Sequence, residues 1–229
     1  MARSMPSLLV ALFLSLVPAL MAPTRAETRA WPDDLITRLG ALALIQTLNA
    51  ELLASRSATL TLDKWCADHR LAEAGKTKIV ARLISGESKS ATAEQRQRLE
   101  IGPDEALKYR RVQLLCGDQV FSEADNWYVP GRLTAEMNRT LETTDIPFGR
   151  AVQELKPYRQ TFAATVLWWP MEPGWETKPL PGAAQGGTMA MPDALFEHRA
   201  ILYSNDRRPF SEVHEVYQRQ LLAFPPPHP

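Results

Sequence analysis

The chain lacks the usual signatures of covalent, nucleotide and metal chemistry. It has no Gly-x-Ser-x-Gly elbow, no glycine-rich phosphate loop and no His-Glu-x-x-His pair. An excess of one charge is also missing. With 26 basic and 26 acidic residues the formal charge is zero, and no basic stripe stands out, so nucleic acid is not an expected partner. Its four histidines are scattered. His214 and Glu215 are adjacent, which in a strand sends them to opposite faces and rules out a dyad. Asp63, Asp68 and His69 match no ligand spacing and read as a solvated helix face. No metal and no cofactor are therefore expected. Cysteine is scarce: Cys66 and Cys116 each lie in an apolar run and read either as a disulfide, given an oxidising compartment, or as two buried thiols.

Residues 1–26 read as a secretory signal peptide. Arg3 gives a basic start, Leu8 to Leu20 are mostly apolar, and Ala26 ends a site where a peptidase would cut. This predicts a periplasmic or secreted protein. No later segment approaches the length of a spanning helix, so no stable membrane span is expected after signal removal. Residues 27–224 have the length of one domain with a sizeable core, and 225–229 form a proline-rich tail expected to fray.

Within the domain, Leu35, Leu39, Leu42, Ile45, Leu48 and Leu52 recur at helical spacing behind Pro32-Asp33-Asp34, predicting a long amphipathic helix. Thr61 is placed to cap a second, shorter one. Thr77 to Ile84 reads as a strand, Ser85 to Arg98 as a polar loop with a helical turn, and Leu133 to Thr143 as a helix. Pro147 can open another short helix through Leu155. Tyr158 to Trp169 is a β-branched and aromatic strand, and Pro170 to Pro192 is a long loop.

Two stretches look like hairpins. In Lys108–Pro130 the Gly117-Asp118 pair reverses the chain between two alternating runs, and His198–Arg219 has the same layout. Phe121-Ser122-Glu123 recurs as Phe210-Ser211-Glu212, and Tyr128 recurs as Tyr217. Arg111 corresponds to Arg199, and Asn126 to Glu215. Such an internal repeat constrains the whole fold. The expected class is α+β: a single domain with an antiparallel sheet of five or six strands and helices packed on it. By the period of two, Arg111 shares a face with Tyr109, Gln113 and Leu115, while Arg110 goes to the other. The expected site is a small cavity on which Arg111, Arg199, Asn126 and Glu215 converge, the arginines gripping carboxylates through forked hydrogen bonds. The alternative is an internal Arg–Glu pair that only fixes register.

Those same residues carry a resemblance. Arg111-Val-Gln-Leu-Leu-Cys116, the Gly-Asp turn and Tyr128-Val129-Pro130 resemble the central hairpin of the chorismate lyase-like superfamily, which extends to the UTRA ligand-binding domains of transcription regulators. Ile146-Pro147-Phe148-Gly149-Arg150 resembles the segment that follows in that family, and the hairpin with Glu215 its last strand pair. The resemblance implies a cofactor-free carbon–oxygen lyase releasing pyruvate from a chorismate-like substrate. In that reading Arg111 and Glu215 are catalytic, and Arg111, Asn126, Phe148, Gly149, Arg199 and Glu215 bind a small aromatic or carboxylated ligand. Asn126 departs from the family, standing where it has a second arginine. The other reading is a non-catalytic periplasmic binding protein of the same fold.

Overall fold

The computed structural model describes residues 30–180 and 186–227. The signal peptide expected at 1–26 lies outside them. Helix α1 (Leu35–Ala54) starts where the Asp34 carboxylate accepts the Thr37 amide at 2.8 Å, satisfying one of the donors a helix start leaves open. Ala41, Ile45, Leu48 and Leu52 form its buried face, as the spacing predicts. Helix α2 (Ala58–Asp68) is capped by Ser57, not by the expected Thr61. The Ser57 hydroxyl accepts the Leu60 amide at 3.4 Å, so the helix begins a turn early and Thr61 is buried inside it.

Between β1 (Val80–Leu83) and β2 (Lys108–Cys116) the polar stretch holds the short helix α3 (Ala93–Arg98), whose start is fixed by a Thr92–Gln95 capping box. Next come β3 (Gln119–Tyr128), α4 (Ala135–Thr143), α5 (Phe148–Ala151), β4 (Tyr158–Val166), β5 (Ala194–Tyr203) and β6 (Pro209–Gln218). The protein is α+β, with one six-stranded antiparallel sheet in the order β1-β2-β3-β6-β5-β4. This is the fold class, and a sheet of the size, that the sequence predicts. At the β2–β3 turn Gly117 sits at φ +54°, a conformation that favours glycine, and a Cβ there would meet that of Ala72 at 3.2 Å. Of the proline tail, Pro227 lies 3.8 Å from where a Cβ on Gly40 would stand.

The hairpins are related by a pseudo-two-fold axis between β3 and β6. Ser122 pairs with Tyr217 and its counterpart Ser211 with Tyr128; likewise Asn126 faces Val213, and Ala124 faces Glu215. One face of the sheet carries the apolar alternation, Val112 and Leu114 with Ala124, Val213, Ala200 and Leu202, and the main core packs there. Glu212 lies on the opposite face, where Arg98 grips it through two bonds of 2.8 Å and holds α3 down.

Asp63 is not on a solvated face. It is buried, accepts the Ile79 amide at 2.6 Å and takes both Nη2 contacts of Arg150, at 3.2 and 2.9 Å. This clasp ties α5 to α2. Cys66 on α2 and Cys116 at the end of β2 form a disulfide with a Cα–Cα distance of 6.0 Å, a normal span, which settles the choice between bridge and thiols. Closing a loop over 50 residues stabilises the native state by about 4 kcal/mol in the chain-entropy account. Reduction, or Cys66→Ala with Cys116→Ala, is expected to lower the urea midpoint accordingly. A midpoint indifferent to dithiothreitol would refute that role.

Candidate functional site

Where the sheet, the start of α2 and α5 meet, they enclose a cavity of about 60 Å³, room for a few water-sized groups. Val112, Leu114, Ala124, Val213 and Leu202 supply its apolar sheet wall, and Phe148 and Gly149 lie on the opposite side. A side chain at Gly149 would press on the Thr59 and Ser57 hydroxyls at 3.3 and 3.4 Å, so glycine lets α5 settle against the start of α2. An outer cleft of about 270 Å³ shares Arg56, Ser57, Thr59, Gly149 and Pro157 with the cavity. The amides of Ala58 and Thr59, in the first turn of α2, belong to the donors that a helix leaves without internal partners. That end of the helix favours negative charge.

The inner wall carries an ion pair. Arg159 on β4 donates to the Glu215 carboxylate, and both are almost fully buried. The Tyr217 hydroxyl also donates to Glu215, at 3.0 Å, and burial followed by the neighbouring carboxylate pushes its pKa far up. For Arg159 burial works against the charge, but Glu215 more than offsets it and the pKa is raised. His198, opposite Glu215 in register, is buried with Nε2 2.7 Å from the Asn49 side-chain oxygen. Burial, then Arg159, lower its pKa to about 4, so it is neutral at pH 7.

Of the residues expected at the site, Asn126, Phe148, Gly149 and Glu215 line the cavity; Arg111 and Arg199 do not. Arg111 is on the other face of the sheet, paired with Glu87 and with Glu123 at 3.1 Å. Arg199 is exposed and pairs in register with His214, whose ring meets Glu197 on that same face at 2.8 Å. The convergence of Arg111 with Glu215 is therefore corrected. The physical reason is the pleat: Arg110, one residue earlier, shares the face of Val112 and Leu114 and stands opposite Asn126. Arg110 is only 5% exposed. Its Nη2 reaches the Ile146 carbonyl at 3.3 Å, while Nε and Nη1 are buried without a protein partner. Burial lowers its pKa, as expected for a cation lacking a carboxylate. Sequence reasoning also missed Arg159 and the Arg56–Thr59 wall. Arg159 was legible only as a cation within an apolar strand.

No family model matches the chain. The protein y4mC of Sinorhizobium fredii, described as uncharacterized, is 48% identical over 211 residues, covering 92% of this chain and 89% of y4mC. The chain belongs to the y4mC family. Among solved structures, the possible transcriptional regulator YydK of Bacillus subtilis is 15% identical with a TM-score of 0.38, over 66% of this chain and 62% of YydK. The ligand-binding domain of a GntR-family regulator from Bordetella bronchiseptica gives 17% and 0.39, over 64% and 86%. The effector domain of PhnF from Mycobacterium smegmatis gives 9% and 0.40, over 62% and 82%. These are partial likenesses that bring no ligand or residue role with them.

They do correct the expected function. The structures just named are described as a possible transcriptional regulator and as regulator ligand-binding and effector domains, and the exported lyase and the periplasmic or secreted location are withdrawn. Geometry adds a reason against the lyase. In this y4mC-family chain the carboxylate meant for proton transfer already holds Arg159 and Tyr217, and Arg111, meant to grip the substrate carboxylate, faces the other way. No helix among the described residues is long and apolar enough to cross a membrane.

The His198 shift has a pH consequence. A base whose folded pKa lies below its unfolded value near 6.5 opposes protonation in the native state, so stability falls as pH drops from about 6.5 toward 4. The full loss is on the order of 3 kcal/mol. Urea midpoints between pH 7.5 and 4.5 are expected to fall for the wild type and to flatten in His198→Gln. Identical pH slopes for the two proteins would exclude His198 as the cause.

Proposed function

We propose that the chain is a binding domain for a small carboxylate-bearing ligand, with an aromatic or similarly flat apolar body, held between the sheet and α5. The observation that carries this reading is Arg110, a buried guanidinium on the sheet face that walls the cavity, opposite the lining residue Asn126, with Nε and Nη1 left without a protein partner. An unpaired buried cation is costly, and a carboxylate is the partner that matches its fork. Asn126 lines the cavity, and Arg56 with the first turn of α2 adds further donors at the mouth. Val112, Leu114, Phe148, Leu202 and Val213 suit an apolar ring. Glu215, neutralised by Arg159, supports a wall that accepts from a hydroxyl without repelling the anion. The role is recognition, and it needs no chemistry on the ligand.

Thermal-shift and calorimetric titrations with benzoate-type carboxylates, against their neutral amides, test this. Carboxylates are expected to raise the melting temperature and amides to leave it unchanged. Arg110→Met is expected to weaken binding by about tenfold to a hundredfold, the worth of a charge-assisted bond. The same change removes an uncompensated buried charge, so the unliganded variant is expected to melt no lower than wild type. Wild-type protein indifferent to every carboxylate, or Arg110→Met binding as wild type does, would refute the reading.

A further inference from the structure

The two edges of the sheet differ. At one edge β1 is four residues long, and the Asp145 carbonyl accepts the Ala81 amide at 2.6 Å. At the other, β4 runs nine residues and, among the described residues, no strand pairs with its outer side. Proteins usually blunt such an edge with charge, proline or brevity. From Gln160 to Leu167 the chain reads QTFAATVL, with no charge and no proline, and Phe162 to Thr165 are all exposed. Its one irregularity is a bulge against β5 in which Phe162 is the extra residue. Phe162 lies 4.7 Å from the Arg98 guanidinium and is still 42% exposed; Leu167 and Trp169, just past the strand, are each 45% exposed.

We infer that β4 is the docking edge for a second copy of this chain, pairing antiparallel with its own counterpart about a two-fold axis at Phe162 and joining the two sheets into one. The strand complements itself. Centred on its middle residue, the pairing sets Phe162 against Phe162, Thr161 against Ala163, Gln160 against Ala164, Arg159 against Thr165 and Tyr158 against Val166. No like charges oppose, and the one cation, Arg159, is already spent on Glu215 inside its own cavity. Aromatic and β-branched cross-strand pairs favour such a contact. The assembly closes at two copies, because a two-fold contact uses the same patch twice and β1 offers no comparable edge.

Sedimentation equilibrium of the full chain over a wide concentration range is expected to show a monomer–dimer equilibrium. Phe162→Lys and Phe162→Glu each place like charges face to face at the axis and are expected to weaken dimerisation at least about tenfold, with the circular dichroism spectrum of the folded chain unchanged. An equimolar mixture of the two is expected to restore dimers, now heterodimers. Independently, Phe162→Cys is expected to give an interchain disulfide under mild oxidation, since Cys66 and Cys116 already bond each other. A wild type monomeric throughout, a dimer that survives both charge variants, a mixture that stays monomeric, or F162C that does not cross-link would each overturn the inference.

Discussion

A carboxylate buried near the middle of a sheet must be met by a cation, and Glu215 is met by Arg159. The two lie on β6 and β4, with β5 between them, so the contact crosses a strand. The residue between them on that face of β5 is Ala200, small enough to let the arginine pass. Losing either partner would strand the other charge at a cost of about 3–5 kcal/mol. That penalty locks β4 into register and sets the inner wall of the cavity. Tyr217 and His198 complete the cluster, one donating to Glu215 and the other kept neutral beside Arg159.

The pseudo-two-fold axis extends this logic to the other half of the sheet. Arg110 opposite Asn126 in the first hairpin corresponds to His198 opposite Glu215 in the second. In the second hairpin the polar group is satisfied from within the protein, by Arg159. In the first there is a cation with open donors and an amide whose oxygen is held by Ser211. One half of the repeated frame pairs its carboxylate internally, while the other holds a buried cation with no carboxylate beside it. The Asp63–Arg150 clasp and the Cys66–Cys116 bridge hold α2 and α5 in place around it.

Much of this was legible before any coordinates. The long helix, both hairpins, their repeat and the antiparallel sheet follow from spacing and turn chemistry, and all are present. Choosing between Arg110 and Arg111 went the other way. Adjacent strand residues differ only in face, and two arginines in a row give no polarity difference to separate them. Their neighbours do: Val112 and Leu114 mark the buried face, whereas Tyr109 and Gln113 mark the partly open one. Following the apolar alternation rather than the repeated arginine selects Arg110. Asp63 was misread for a related reason, since nothing near it in sequence announces that Arg150 will reach it.

The sequence by itself determined the local elements, because capping oxygens, glycine turns and apolar periodicity act between residues a few positions apart. It also determined that no motif for metal or nucleophile chemistry is present in the chain. Only the tertiary structure decided which face of the sheet is covered, which cation meets Glu215, whether the two cysteines bond, and which edge strand has no pairing strand among the described residues. Each of those depends on groups brought together from distant parts of the chain, and their burial, which fixes the energy of a charge or an unpaired amide, exists only once the layers have packed.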